Sequence, residues 1–268
     1  MSFVYDALEK AEREGKLDST WIPHVEETPR FSPPAVKLPL EVIENFTMLK
    51  QNVQLAHAEK SVDVIAITSS VPGEGCSTIT YYLSLLLAQA TPNYQPVEQE
   101  QDEVYSRDNG HTRQRKSGVL VIDGNLKNPN LYWLFGVDQK HGVNEFIVTA
   151  DGKHTRLSPN HFNFITSGKI NGNWHDIWAS ERTKVLMKQL RHQFEYILID
   201  APPVIGHPDT LALSKLADGV LFVIKANHTR LEVIDEAKQR LQEANVNVLG
   251  VVLNERRFFI PGRIYRRI

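Results

Sequence analysis

Six short runs of the chain are almost wholly apolar: VDVIAITS (62–69), GVLVIDG (118–124), FNFITSG (162–168), YILIDAP (196–202), GVLFVIKA (219–226) and VLGVVLN (248–254). Between several of them the apolar residues recur at helical spacing, as in STITYYLSLLLAQA, ERTKVLMKQLRHQF and TRLEVIDEAKQRLQEAN, and a further helical stretch runs from Leu40 to His57. A strand buried on both faces has no polar side to alternate with. Continuous apolar runs separated by amphipathic helices therefore predict an α/β fold, with a mostly parallel central sheet and helices on both faces.

The flanks follow other patterns. Over residues 3–13, Phe3, Val4, Ala7, Leu8 and Ala11 share one helical face, with Ser2 placed to cap it. The first 17 residues thus predict a short amphipathic helix that either docks on a partner or packs on its own domain. Residues 18–39 carry Pro23, Pro29, Pro33, Pro34 and Pro39 with no sustained period, which predicts an extended tether and a main domain spanning 40–257. Residues 91–117 interrupt that domain with a polar segment, acidic in its first half and basic in its second. It is longer than a helix-to-strand connection needs and is read as a solvated insertion. The tail, 258–268, closes a segment from Glu255 to Ile268 that interleaves five arginines with Phe258, Phe259, Ile260, Ile264, Tyr265 and Ile268. Such a segment lies on an anionic membrane surface, enters a partner's groove or packs back on its own domain.

Composition narrows the function classes. Thirty Lys and Arg against 32 Asp and Glu leave a net charge of -2, so no whole-chain field favours nucleic acid, and no nucleic-acid partner is expected. One cysteine, Cys76, excludes an intramolecular disulfide framework and fits a reducing compartment. The sequence shows no secretory leader and no stretch of ~20 apolar residues, so the expected location is cytoplasmic, peripheral to the membrane only through a partner or the basic tail. The ten histidines show no metal-ligand spacing.

The chemistry concentrates at the ends of the apolar runs. TSSVPGEGCST (68–78) passes from a predicted strand through a glycine loop into a predicted helix, the context in which backbone N–H groups gather round an anion. Asp123 and Asp200 each end an apolar run, at the carboxyl edge of the sheet where an α/β fold places its site. Either alone would read as a turn residue. Two of them beside a glycine loop read as a magnesium and phosphate site.

Taken in order, PGEGCST, VLVIDGNLKNPNLYWLF, YILIDAPPV with a following Asp209, ADGVLFVIKANHTR and VLGVVLN resemble the cytoplasmic P-loop domain of bacterial protein-tyrosine kinases (BY-kinases), over roughly residues 40–257. These kinases belong to polysaccharide co-polymerase systems that control capsule and exopolysaccharide export. The resemblance implies ATP or ADP with Mg2+, held by a loop of Gly73, Glu74, Gly75 and Cys76. It implies that Ser77 binds magnesium, Thr78 a phosphate, and that Asn254 lies near the base. Asp123 would be the Walker A-prime acid near the attacking hydroxyl and Asp200 the Walker B acid, a magnesium ligand. The implied partners are a membrane chain-length determinant of the co-polymerase type and an active tyrosine kinase. The extra lysine that marks MinD and ParA proteins would fall at Val71.

The departures from that family fall on functional positions. Cys76 stands where the loop lysine belongs, Asn125 where a second acid belongs, and Lys127 where an arginine belongs. The oligomer motif E-x-x-R-x-x-R appears as Glu44, Thr47 and Lys50, and the tyrosine-rich tail is reduced to Tyr265. A lysine on the β and γ phosphates makes a charge-assisted hydrogen bond of about 1.5–3 kcal/mol, so its loss weakens binding by roughly one to two orders of magnitude. Removing one preorganised donor slows transfer by about 100- to 1000-fold. An ionised thiol at the helix N-terminus would repel phosphate and would also suit a redox sensor, although no second cysteine exists to resolve it. The expectation is a regulatory or scaffold protein of exopolysaccharide or capsule biosynthesis, a pseudokinase because Cys76 replaces the loop lysine. Two other readings are an active autokinase whose positive charge has moved to Lys127, and a nucleotide-occupancy switch without phosphotransfer.

Overall fold

The computed structural model describes residues 25–27, 40–90, 118–139, 142–143, 147, 154–157, 162–168 and 176–255. The helix expected over 3–13, the 91–117 insertion and the tail with Tyr265 lie outside the described residues.

All six apolar runs form strands. In chain order the strands are β1 (Val25–Glu27), β2 (Val64–Ser69), β3 (Val119–Asp123), β4 (His154–Leu157), β5 (Phe162–Ile165), β6 (Tyr196–Asp200), β7 (Gly219–Lys225) and β8 (Val248–Asn254). They build one sheet in the order β1-β4-β5-β3-β6-β2-β7-β8. Every pairing is parallel except β4 with β5, so the expected mostly parallel sheet holds among the described residues. Two strands depart from the sequence reading. β1 falls inside the proline-rich 18–39 stretch, where three residues pair with β4 at the sheet edge instead of running as a free tether. β4, paired with β1 on one side and β5 on the other, has no apolar run to announce it, because four residues held by two backbone ladders need no continuous hydrophobic sequence.

The helices are α1 (Leu40–Lys60), α2 (Cys76–Ala90), α3 (Leu131–Phe135), α4 (Glu181–Gln193), α5 (Asp209–Ser214) and α6 (Leu231–Glu243). Alternation along each buried strand divides the core in two. Val64, Ala66, Ile197, Ile199, Val220 and Phe222 face Leu186 and Leu190 of α4, Leu213 of α5, and Ala237 and Leu241 of α6. Ile65, Ile67, Val121, Leu198 and Val223 face Val53 of α1, Leu83 and Leu87 of α2, and Leu131 and Phe135 of α3. Helices thus cover both faces, as two-sided apolar strands require. No helix among the described residues is long and apolar enough to cross a membrane.

The amino edge of the sheet is pinned by one carboxylate. Asp218 Oδ2 accepts from the backbone N–H groups of Asp63 and Val64, both at 2.8 Å. Arg191 Nη1 donates to both carboxylate oxygens at 2.7 and 2.8 Å, while Nη2 donates to the Leu216 carbonyl at 2.9 Å. Asp218→Ala leaves two amides and a half-buried guanidinium without their acceptor, and should lower unfolding free energy by about 2–3 kcal/mol. Urea unfolding with an unchanged m-value and a lower midpoint is the expected result.

Candidate functional site

The carboxyl ends of β2, β3 and β6 bring the predicted residues together. After β2 the chain turns through Ser70–Gly75 and enters α2 at Cys76. Gly73 and Gly75 take φ of 84° and 99°, a region open to glycine and strained for other residues. At Gly75 space is also closed, since a Cβ there would sit 2.1 Å from Asn254 Nδ2. The N–H groups from Gly73 to Thr78 find no backbone acceptor among the described residues. A row of such donors at the start of a fifteen-residue helix is an anion site in waiting.

The Glu74 and Asn254 side chains both bond within the protein. The Glu74 side chain is 1% exposed and its carboxylate turns into the protein. Oε2 accepts from the Ser70 and Val71 amides at 2.7 and 3.0 Å, and Oε1 from the Lys225 amide at 3.1 Å and the Thr229 hydroxyl. Only its backbone remains to face a ligand. Asn254 Nδ2 donates to the Glu74 carbonyl at 2.8 Å, so this side chain clamps the loop from the end of β8.

Asp123 and Asp200 are register partners on adjacent strands, and both are buried. Ser77 Oγ donates to Asp200 Oδ2 at 2.6 Å, and the Asn125 amide to Asp123 Oδ1 at 3.3 Å. The other oxygens, Asp200 Oδ1 and Asp123 Oδ2, have no hydrogen-bond partner. Burial pushes Asp200 up to about 7 against the pull of the Ser77 hydrogen bond. Burial first, and the Asp200 charge second, push Asp123 well above the usual carboxylate range. Two desolvated carboxyls with orphaned oxygens beside a hydroxyl form a hard-oxygen donor set that fits Mg2+, an ion that keeps waters and phosphate oxygens for its remaining positions. The Ser77 hydroxyl and Asp200 would hold it.

Cys76 is half-buried. Burial raises its thiol well above the ordinary range, the Asp200 and Glu74 charges raise it further, and a hydrogen bond with Ser69 opposes them. The group at the lysine position is thus a neutral thiol at physiological pH. Ionisation, the condition on which both the repelling thiolate and the redox-sensor reading depend, is disfavoured at this position. Thr78 is exposed on the first turn of α2.

Lys127 is exposed and lines a small, open cleft with Gly124, Asn125, Trp178, Pro202, His207 and Asp209. Burial and the Lys127 charge lower the His207 proton affinity, with Asp209 opposing. The cleft adjoins the Asp123 end of β3 through Gly124. His207 and Trp178 had no signal in the sequence, because the cleft joins loops that follow different strands. On α1, Glu44 is exposed and the Thr47 hydroxyl donates back to the Ile43 carbonyl at 2.8 Å.

No family model matches the chain. Among curated proteins it is 24% identical over 214 residues to the tyrosine-protein kinase YwqD of Bacillus subtilis, covering 79% of this chain and 80% of that one. It is 28% identical over 216 residues to the putative tyrosine-protein kinase EpsB of Ralstonia nicotianae, covering 79% of this chain and spanning a quarter of EpsB's length (25%). Among solved structures the kinase domain of the Escherichia coli tyrosine kinase ETK superimposes with TM-score 0.69 at 20% identity, over 94% of this chain and 96% of that one. The septum site-determining protein MinD of Pyrococcus horikoshii, complexed with Mg-ADP, gives TM-score 0.51 at 19% identity over 76% of each chain. The chain is similar to bacterial tyrosine-protein kinases in sequence, and its fold is that of BY-kinase and MinD-like P-loop proteins.

Proposed function

We propose that this chain is a regulatory or scaffold protein of bacterial exopolysaccharide or capsule biosynthesis, carrying a nucleotide site that has lost its phosphotransfer chemistry. One observation carries the reading. A neutral thiol occupies the lysine position, while the glycine loop, the Ser77–Asp200 pair and Asp123 keep the arrangement that suits magnesium and phosphate. Such a site retains donors for the phosphates of ATP or ADP and lacks the charge that stabilises the transferring group. When bound, Mg2+ would neutralise phosphate charge. The roles expected of Ser77 and Asp200 in holding it, of Thr78 and the loop amides in meeting phosphate, and of Asn254 beside the nucleoside belong to this proposal.

The proposed partners are a membrane co-polymerase or chain-length determinant protein and an active tyrosine kinase, with the protein acting at the cytoplasmic face of the membrane. Support comes from the relatives' names and from the likeness to a solved chimera titled CapA2B2, TM-score 0.68. The domain scheme proposed with it keeps residues 40–257 as the nucleotide-binding unit.

A phosphotransfer assay tests the reading. Purified parent protein with Mg-ATP should yield tyrosine phosphate at least 100-fold more slowly than its Cys76→Lys variant. Transfer by the parent at the variant's rate would overturn the regulatory reading and favour the active autokinase. The second reading, occupancy without transfer, has its own support in the unpartnered loop amides, and predicts tight ADP binding by the parent with no turnover.

A further inference from the structure

Glu74 is the most completely satisfied carboxylate in the described site, and none of its side-chain contacts is available to a ligand. Each oxygen takes two donors: Ser70 and Val71 amides on one, the Lys225 amide and the Thr229 hydroxyl on the other. Its carbonyl takes a second side chain, Asn254, after the Thr229 hydroxyl. Three segments far apart in sequence therefore meet on one residue: the loop 70–75, the 225–229 turn between β7 and α6, and the end of β8.

We propose that Glu74 is a positioning residue that holds the phosphate loop open in its ligand-binding shape and locks it to the β7–α6 turn. The inference rests on the nucleotide reading of the site and goes beyond it in assigning the loop's shape to a residue that touches no ligand. The physical reason is the loop's own composition. Glycines at positive φ make it easy to deform, and with Cys76 in place of lysine no cation in the loop draws its amides together. A buried carboxylate with four donors is directional and costly to disconnect, because each lost donor leaves a charge unpaired away from water. By consuming the Ser70 and Val71 amides it fixes the entry of the loop. The N–H groups of Gly73 to Thr78 are left for an anion. Through Lys225 and Thr229 the same carboxylate makes the turn after β7 move with the loop.

The test uses the full chain and Glu74→Gln, whose amide group presents donors where the carboxylate accepts. Without ligand, hydrogen exchange of the Ser70, Val71 and Lys225 amides should rise together by at least tenfold, with Ile65 and Leu198 in the central strands unchanged. In a Cys76→Lys background, affinity for magnesium pyrophosphate, a probe that meets only the loop, should fall at least tenfold at a temperature well below melting. Faster exchange confined to the loop, with Lys225 unchanged, would overturn the lock. Unchanged pyrophosphate affinity would overturn the positioning role. Should Glu74→Gln fail to fold, Glu74→Asp, one methylene shorter, is expected to reach one donor pair only and so to raise exchange at one segment and not the other; unchanged exchange at both would overturn the proposal. If Cys76→Lys alone binds neither pyrophosphate nor Mg-ADP, the nucleotide reading fails, and exchange at Lys225 still decides whether Glu74 joins the two segments.

Discussion

Replacing Cys76 with lysine should raise affinity for Mg-ADP by about 10- to 100-fold, the worth of one charge-assisted hydrogen bond to phosphate of about 1.5–3 kcal/mol. The site is arranged to receive that charge. Position 76 opens α2 beside amides with no backbone acceptor; burial and then the Asp200 and Glu74 charges raise the thiol, and those two charges would offset the cost of burying an ammonium in its place. Calorimetric titration of Mg-ADP into parent and variant measures the difference. Binding in the variant alone means that one residue silenced the pocket, and directs the search for function to partner contacts. Equal, tight binding in both means that backbone donors and magnesium suffice, which favours the occupancy switch.

The acid pair should give the magnesium-free protein an unusual pH dependence. A solvated Asp titrates near 3.9, whereas Asp200 is raised to about 7 in the fold. At pH values between these the native state binds a proton that the unfolded chain has released. Its stabilising contribution is therefore complete below about pH 4 and is lost as pH rises through about 7, opposite to the trend for a salt-bridged carboxylate. Asp123, raised for the same cause, adds to the slope. In chelator the unfolding free energy should fall by a few kcal/mol, on the order of the linkage of one such group, between pH 5 and 8. Asp200→Asn keeps an acceptor for the Ser77 hydroxyl, removes the charge, and should flatten the slope while raising the midpoint at pH 8 by several degrees. Millimolar Mg2+ should restore the parent at pH 8 by neutralising the pair. A flat profile in chelator would show that both acids are ionised at no cost, and would remove the reason to place a cation there.

Both results concern residues that the sequence made visible, and the reason is physical. Strands buried on two faces leave unbroken apolar runs, so β2, β3, β5, β6 and β7 were legible, and with them the carboxyl edge where Asp123 and Asp200 stand; β8 reads as an apolar run too, although it forms the other edge and exposes Val248, Val251 and Leu253. Glycines that must take positive φ marked the loop. The edge strand β1 and its neighbour β4 were not legible, because short strands held by backbone pairing ask little of side chains. The inward turn of Glu74 was hidden for another reason. Its donors at Lys225 and Thr229 are 151 and 155 residues away, and nothing in the local pattern distinguishes a carboxylate that will meet phosphate-side water from one that will be buried. The state of Cys76 was left open by its position at a helix start, where the dipole favours a thiolate; desolvation and two nearby carboxylates outweigh that pull.

The order of strands in the sheet also governs when this molecule can come into being. β2, which launches the glycine loop, pairs on one side with β6 at residues 197–200 and on the other with β7 at 219–223. On a ribosome its neighbours are not yet made when it emerges, and its six buried residues must wait through the synthesis of more than half the chain. Folding of the centre is consequently a late event, and nearly all-or-none with respect to length: a nascent chain halted before residue 218 has the loop sequence and both acids, yet lacks the strand that closes β2 and the Asp218 carboxylate that caps its start. Until then the apolar run 62–69 is a template for association with other unfinished chains, which makes the interval before release the period of greatest dependence on chaperones.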